Sequence, residues 1–135
     1  MPIISSCIIR QAGFINFKKK PNIMSDIENL INEAERFRDE RLWQQFHTTK
    51  DLAVAISVEA AELNELCLWK TAEECESINP ERLKEELADI IIFSLLLASK
   101  HKFDVNRIVM DKIKLNALKY PLEKSRGTLK KYNQL

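Results

Sequence analysis

The chain has 135 residues, a length that predicts one domain able to hold a hydrophobic core. Apolar residues make up 45% and charged residues 30% of it, as in soluble globular proteins, and the net charge of +1 argues against binding to a nucleic-acid polymer. With two glycines and four prolines, the chain is short of the turn residues that an all-β fold needs, and no apolar run is long enough to span a membrane. We therefore expect an all-α protein.

Residues 1–24 differ in composition from the rest, because they carry four basic residues and no acidic residue. We interpret this segment as a poorly ordered leader that precedes a domain of residues 25–135. Its short apolar part is followed by no clear cleavage site, so a secretory signal is not indicated. The expected location is the cytoplasm, or the mitochondrion if the basic leader is a presequence.

The first two of four predicted helices flank an aromatic connection. Ser25 and Glu28 form a capping-box pair, and helical spacing of apolar residues continues to about residue 41. A polar and aromatic connection occupies residues 42–49. The second helix is expected to start at Thr48 or Thr49 and to run to about Trp69.

The last two helices have clear start signals. Residues 71–79 read as a loop that ends at Asn79, an N-cap followed by Pro80 at the first helical position. The third helix continues to about residue 102. Asp104 caps the fourth helix, which ends at Tyr120 because Pro121 cannot continue it. The pattern predicts a four-helix bundle.

Three cysteines are present, at positions 7, 67 and 75. Their number is odd and their spacings match no zinc-binding pattern. We interpret all three as free thiols in a reducing compartment.

Two acidic pairs interrupt the apolar faces of the second and third helices. Glu59 and Glu62 are three residues apart, as are Glu86 and Asp89, so the members of each pair lie side by side on one helix face. Four unpaired carboxylates directed toward a bundle interior would repel one another and lose hydration. Something positive is therefore expected to neutralise them.

The composition of this acidic cluster indicates the kind of metal. Carboxylates without a nearby Cys or His suit Mg²⁺, with Mn²⁺ as an alternative, rather than zinc. A di-iron site in a helical bundle would need Glu-x-x-His motifs, and neither His47 nor His101 is placed in one. Protein-bound Mg²⁺ commonly takes up phosphate oxygens, so a phosphate ester or nucleotide is the expected substrate.

Such a substrate would need cations for its phosphates and an aromatic surface for its base. The fourth helix offers Lys112 and Asn116 on one face, and Trp43, Phe46 and Trp69 are the candidate aromatics. Each of these residues also has an explanation without a substrate: the polar residues could be exposed to solvent, and the aromatic residues could pack in the core or at a subunit interface. Further basic residues lie in the tail, at Lys124, Arg126, Lys130 and Lys131.

Four blocks, "FRDERLWQQFH", "EAAELNELCLWK", "EELADIIIF" and "KLNALKYP", occur in this order. Together they resemble the MazG-like nucleoside triphosphate pyrophosphohydrolases, in the branch of dCTP pyrophosphatase and its small bacterial relatives. The resemblance covers residues 25–135. The family signature, E-x-x-E followed by E-x-x-D on the next helix, matches Glu59, Glu62, Glu86 and Asp89.

The resemblance implies an all-α fold that assembles as a dimer or a dimer of dimers, with sites between subunits. It implies Mg²⁺-dependent hydrolysis of a (deoxy)nucleoside triphosphate to the monophosphate and pyrophosphate, in nucleotide-pool house-cleaning. The four acids match the metal ligands and catalytic residues, and Lys112 and Asn116 match positions that face the phosphates. The nucleotide pocket is matched by Trp43, Gln44, Gln45, Phe46, His47 and Trp69.

Two departures from the family pattern concern the substrate pocket. Phe93 stands where dCTP-specific members have Tyr, and Ala34 stands where they have His on the first helix. Both put a preference for dCTP in doubt without affecting the metal site. One glutamate, Glu59 or Glu62, would orient the attacking water.

Two other classes of function remain open from the sequence. The chain could be a helical dimer that binds nucleotide and Mg²⁺ without hydrolysis, although a degenerate member is expected to lose a metal ligand. It could also be an interaction bundle with incidental glutamates, in which case Mg²⁺ and nucleotide would not change its thermal stability.

Overall fold

A computed structural model describes residues 25–135, and all regular structure in that range is helical, as predicted. The leader predicted for residues 1–24 lies outside the described residues. Two short 3₁₀ segments occupy Trp43–Phe46 and Tyr132–Gln134. The α-helices are α1 Asp26–Asp39, α2 Thr49–Glu65, α3 Ala72–Cys75, α4 Pro80–Lys100, α5 Val105–Lys119 and α6 Leu122–Ser125.

The predicted helix starts are confirmed by hydrogen bonds from side chains at the caps. Ser25 and Glu28 form the reciprocal capping box of α1, and the side chain of Thr48 accepts a hydrogen bond from the amide of Asp51 at the start of α2. Asn79 and Asp104 cap α4 and α5 in the same way. Each cap satisfies an amide that has no partner within the helix.

Helices α2 and α4 each end before the position that the sequence predicts. Helix α2 ends at Glu65 and leads into turns, and Trp69 has a left-handed backbone with φ of 62°. Helix α4 ends at Lys100, and Lys102 has a φ of 56°. A left-handed residue cannot continue a right-handed helix, and apolar periodicity alone does not detect it.

The centre of the fold is the packing of α2 along α4, with α1 also against α4. Leu52 of α2 is 2% exposed, and α4 contributes the buried residues Leu95, Leu96 and Ala98. The Ser99 hydroxyl donates a 2.5 Å hydrogen bond to Glu35 Oε1, which joins α4 to α1. These helices place the two acidic pairs next to each other.

Helix α5 contrasts with this centre. Among the described residues it has no extensive packing against another helix, although the capping and length of α5 are as predicted. Apolar side chains on it stay about half exposed, including Ile108, Val109 and Ile113. Residues 25–135 of one chain therefore leave the apolar side chains of α5 uncovered.

The connection between α2 and α4 corrects the interpretation of the cysteines. Cys67 and Cys75 form a disulfide with Cα atoms 5.2 Å apart, within the ordinary range for such bonds. The short helix α3, predicted as loop, turns the chain back so that residues eight positions apart meet. Cys7 lies outside the described residues. No helix in the described range has the length and apolarity for crossing a bilayer.

Candidate active site

Three acidic side chains from two helices converge where α2 packs on α4. Oxygen atoms of Glu59, Glu62 and Glu86 all lie within 4.8 Å of one another. Glu86 is 5% exposed, Glu59 is half-buried and Glu62 is exposed. The prediction that these side chains point inward is thus met best by Glu86 and least by Glu62.

The fourth predicted ligand, Asp89, lies next to this group rather than within it. It is half-buried one turn along α4 from Glu86 and lines the same cavity as Glu59. Its charge is close enough to act on Glu59. The four acids therefore form one negatively charged region, with three oxygens at mutual coordination distance.

The charges in this cluster are incompletely neutralised. Burial raises the pKa of Glu59, and the charges of Glu62, Asp89 and Glu86 raise it further. Among residues 25–135, Glu86 has one cationic partner, since Arg82 Nη2 donates a 3.0 Å hydrogen bond to its Oε1. A cluster of carboxylate oxygens with excess negative charge and no Cys or His ligand fits a hard divalent cation.

A cavity of about 770 Å³ extends from the acids Glu59 and Asp89 to helix α1. Its wall from α4 includes Ile92, Phe93 and Leu96, and its wall from α1 includes residues at helical spacing. The volume is in the range of small-ligand pockets. The α1 wall consists of Leu30, Glu33, Ala34, Phe37 and Arg38.

Three of the predicted substrate residues line this cavity, namely Trp43, His47 and Phe93. The His47 ring packs edge-on against Phe93 with centroids 6.3 Å apart, and Trp43 packs in the same manner on Phe37 at 6.0 Å. Ala34, at one of the two departures from the family pattern, also lies in the lining. The 3₁₀ segment begins with Trp43, which packs on α1, and is followed by His47, which packs on α4.

Other predicted substrate residues are not among those that line the cavity. Gln44, Gln45 and Phe46 are exposed members of the 3₁₀ segment, and Trp69 is 94% exposed. Lys112 and Asn116 are exposed on α5. A single chain thus brings together the acids and one aromatic wall, but neither Trp69 nor the polar positions of α5.

The sequence reasoning missed the contribution of α1, above all Arg38. Arg38 is buried to 8% exposure in the cavity wall. Its position could have identified it from the sequence, because Arg38 lies four residues after Ala34 and one after Phe37 and is therefore a charged residue in the apolar stripe of α1. The same kind of signal had identified the glutamates.

Comparison with known proteins gives consistent matches. Residues 54–135 match the model of the MazG-like family. The chain is 36% identical over 129 residues to dCTP pyrophosphatase 1 of Rattus norvegicus, covering 92% of this chain and 74% of the relative. The human protein of that name is 34% identical over 128 residues, covering 91% and 73%.

A solved structure is also similar. It is a pyrophosphatase from Archaeoglobus fulgidus, with a TM-score of 0.69 and 35% sequence identity. The match covers 72% of this chain and 94% of the archaeal chain. The similarity therefore extends to most of the described fold.

Proposed function

The chain belongs to the MazG-like family and is a nucleoside triphosphate pyrophosphohydrolase, and we propose that it works with Mg²⁺ in house-cleaning of the nucleotide pool. One observation carries the proposal. Carboxylates from two helices meet within 4.8 Å at one end of a cavity of about 770 Å³ that can take a nucleoside.

Glu59, Glu62, Glu86 and Asp89 would hold the metal, with Mn²⁺ as an alternative. A divalent cation held by these acids would supply polarisation of the α-phosphate and a lower pKa for the attacking water. The acids fit this role because they offer only oxygen ligands and carry excess negative charge.

The reaction then needs a residue that orients and deprotonates the attacking water. Glu59 is better placed than Glu62, because Glu59 lines the cavity and Glu62 is exposed. Oxygen of the water bonds to the α-phosphorus while the bond from that phosphorus to the α–β bridging oxygen breaks. The products are the nucleoside monophosphate and pyrophosphate, with the proton of the water passing to the base.

The rest of the cavity would hold the nucleoside. Trp43, His47 and Phe93 form an aromatic wall on which a base can stack, and stacking contributes about 1–3 kcal/mol per base. Asp89 and Phe93 are four residues apart on α4, or roughly 6 Å along the axis. That separation suits a substrate with phosphates at the acids and its base near Phe93.

Self-association is part of the proposal. Lys112 and Asn116 are proposed phosphate contacts on α5, and the apolar face of α5 is uncovered in one chain. Helix α4 also exposes Leu83, Leu87 and Ile91 at four-residue spacing. A second copy that covers these stripes would bury them and complete the site, as a dimer or a dimer of dimers.

The test is to incubate the purified protein with Mg²⁺ and a panel of ribo- and deoxynucleoside triphosphates, including modified bases, and to identify the products. We expect monophosphate and pyrophosphate, and no turnover in EDTA. Diphosphate and phosphate would place the attack at another phosphorus and contradict the proposal. Mg²⁺-dependent binding without turnover would favour the non-catalytic nucleotide-binding dimer.

Replacing single acids tests the site itself. Glu86→Gln is expected to lower kcat/KM more than about 100-fold, since a metal ligand matters at least as much as its supporting shell. Glu85→Gln is the matched control, because Glu85 is adjacent and exposed. Equal loss in both variants, or retained activity in Glu86→Gln with a native circular-dichroism spectrum, would remove Glu86 from the site.

A further inference from the structure

A pair of cysteines in the connection between α2 and α4 has no role in the reaction derived above. Cys67 lies two residues after the end of α2 and Cys75 is the last residue of α3, and their Cα atoms are 5.2 Å apart in the disulfide. Both residues are half-buried rather than enclosed. A small thiol can therefore reach this bond, which full burial would prevent.

The α3 side of this bond is held by local hydrogen bonds. The amide of Cys75 donates a 2.9 Å hydrogen bond to the carbonyl oxygen of Thr71. Thr71 and Glu74 also form a reciprocal capping box at the start of α3, and such a box satisfies two amides of the turn. The backbone position of Cys75 is thus supported by contacts that do not involve the disulfide.

The α2 side of the bond has weaker support. After the end of α2 the backbone continues in turns, in which the amides of Cys67 and Leu68 donate to carbonyl groups three residues earlier. Leu68 is 54% exposed and Trp69 is 94% exposed, so these side chains bury little apolar area. A further contact, the 2.7 Å hydrogen bond from Lys70 Nζ to the carbonyl oxygen of Leu66, is exposed. Helix ends with few buried contacts open most easily.

The last turn of α2 carries part of the acidic cluster. Glu62 lies in this turn, five residues before Cys67, and its carboxylate oxygen is within 4.8 Å of oxygens of Glu59 and Glu86. Because Glu62 is exposed, packing does little to fix its side chain, and its position depends on the turn itself. The disulfide therefore ties the less stable end of one acid-bearing helix to the segment that leads into the other.

We propose that the pair of Cys67 and Cys75 is a reversible redox switch of the divalent-cation site. In the disulfide form the end of α2 is fixed to α3, and Glu62 stays with the other acids. In the dithiol form the last turn of α2 is free to open, which takes Glu62 away from the cluster for part of the time. The cation therefore binds more tightly to the oxidised protein than to the reduced protein.

The co-reactant of this switch is a low-molecular-weight thiol such as glutathione, with its disulfide. One glutathione thiolate attacks the Sγ atom of either cysteine, which forms a mixed disulfide and releases the other cysteine as a thiolate. A second glutathione thiolate attacks the glutathione sulfur of the mixed disulfide and releases the second cysteine together with glutathione disulfide. Two electrons pass to the protein, and its two thiolates take up the protons that the two glutathiones lose. The reverse sequence oxidises the pair.

The coupling between the cysteine pair and the cation site must act in both directions. If reduction weakens cation binding, then a bound cation makes the disulfide harder to reduce by the same factor. A disulfide that only stabilises the fold would lower the melting temperature on reduction, but it would show no such reciprocity. Measuring both directions therefore separates a switch from a structural crosslink.

This inference rests on the proposed function for the cation site, so the test measures binding as well as turnover. The protein is Cys7→Ser, which leaves positions 67 and 75 as its only cysteines. Titration calorimetry gives the Mg²⁺ affinity of the oxidised protein and of the protein reduced with a phosphine, and circular dichroism checks that both are helical. Alkylation and mass spectrometry in glutathione buffers, with and without Mg²⁺, give the equilibrium between dithiol and disulfide.

We expect Mg²⁺ to bind at least about fivefold more weakly to the reduced protein, which is the lower end of the coupling common between linked sites. Saturating Mg²⁺ should shift the glutathione equilibrium toward the disulfide by the same factor. At subsaturating Mg²⁺, kcat/KM should fall on reduction in parallel with the affinity.

Two variants in the last turn of α2 locate the effect. Glu62→Gln should weaken Mg²⁺ binding in both redox forms, and reduction should then change the affinity little, because the two changes act on the same group. Glu65→Gln is the matched control, since Glu65 is an exposed acid in the same turn but outside the cluster. Its Mg²⁺ affinity should keep the full dependence on reduction. A redox effect that persists in Glu62→Gln would overturn the role of Glu62.

Equal Mg²⁺ affinity of the oxidised and reduced proteins would overturn the inference and leave the proposed function intact. A reduced protein that has lost its helical circular-dichroism signal would also overturn it, because the disulfide would then be a structural bond. Absence of Mg²⁺ binding in both forms would contradict the metal site of the proposed function and this inference with it. Redox-dependent Mg²⁺ binding without hydrolysis of any nucleoside triphosphate would contradict the proposed function alone.

Discussion

The individual glutamates of the acidic cluster show how function and stability oppose each other at single residues. Glu59 is held near three other carboxylates, and its pKa is raised by burial first and by those charges second. A carboxyl group whose pKa is higher in the folded than in the unfolded chain destabilises the folded state once it is ionised. Repulsion between the carboxylates therefore destabilises the metal-free cluster, and a bound cation would relieve that repulsion.

Glu59→Gln is expected to raise the melting temperature of the metal-free protein at pH 7 by roughly 1–3 °C, because it removes a repelled charge. The gain should shrink on acidification and vanish below the pKa of an unfolded Glu, about 4.3, where the wild-type carboxyl is protonated in both states. Thermal denaturation in EDTA across pH measures this. Glu65→Gln, on the same helix and exposed, is the control, and a lower melting temperature in Glu59→Gln would contradict the prediction.

Arg82 is the protein's own counter-charge for Glu86, whose side chain is 6% exposed. Arg82→Gln should destabilise the metal-free protein, since the buried carboxylate of Glu86 loses its partner. Mg²⁺ would restore neutrality, so its stabilising effect should be larger in this variant than in the wild type. Melting curves with and without Mg²⁺ test this against Lys84→Gln, whose partner Glu81 is exposed. If Mg²⁺ stabilised all three proteins equally, Arg82 would have no effect on the charge of the metal site.

At the scale of elements, the connection between α2 and α4 determines how the two acidic pairs are joined. The disulfide of Cys67 and Cys75 closes a short loop that contains Trp69, with its left-handed backbone. Closing such a loop removes freedom from the unfolded chain. This connection is therefore stiffer than the loop that the sequence predicted.

Cys75→Ser is expected to lower the free energy of unfolding by about 2–3 kcal/mol, the value for a loop of this length. Chemical denaturation of wild type and variant under oxidising conditions measures the difference, and the two proteins should converge when a reductant is added. Two free thiols at positions 67 and 75 in the oxidised wild type, detected by alkylation and mass spectrometry, would contradict the pairing.

At the scale of the whole molecule, the described part of one chain, residues 25–135, buries few apolar residues for its length. Within residues 25–135 the buried apolar residues are Leu52, Leu95, Leu96 and Ala98, whereas other apolar side chains on α4 and α5 remain exposed. Exposed apolar stripes of this extent mark surfaces that associate. They agree with the proposed self-association and with the absence of Lys112 and Asn116 from the cavity of a single chain.

Ile113→Glu is expected to shift the protein toward the monomer and to lower its activity, because it places a charge in the apolar face of α5. Sedimentation velocity and turnover measured on the same samples test both effects. Asn106→Glu adds the same charge to an exposed polar position of α5 and should change neither. A variant at position 113 that dissociates and stays fully active would show that the site is complete within one chain.

The sequence by itself determined where the four long helices begin and which acidic residues lie in their apolar stripes. Caps such as Ser25 with Glu28, and Asn79 with Pro80, act through neighbouring backbone amides, so their effect can be predicted locally. Glu59, Glu62, Glu86 and Asp89 were recognisable because charged residues inside an apolar stripe need an explanation. In both cases the information lies within a few residues of the chain.

Only the tertiary structure decided which residues surround the cavity. Arg38 of α1 and His47, which follows the 3₁₀ segment, line one cavity with residues of α4 that are distant in the chain, and no local pattern predicts that packing. The left-handed Trp69 and the pairing of Cys67 with Cys75 likewise depend on how the chain turns between helices. Helical periodicity reports which face is apolar, whereas the partner of that face is set by packing between distant segments.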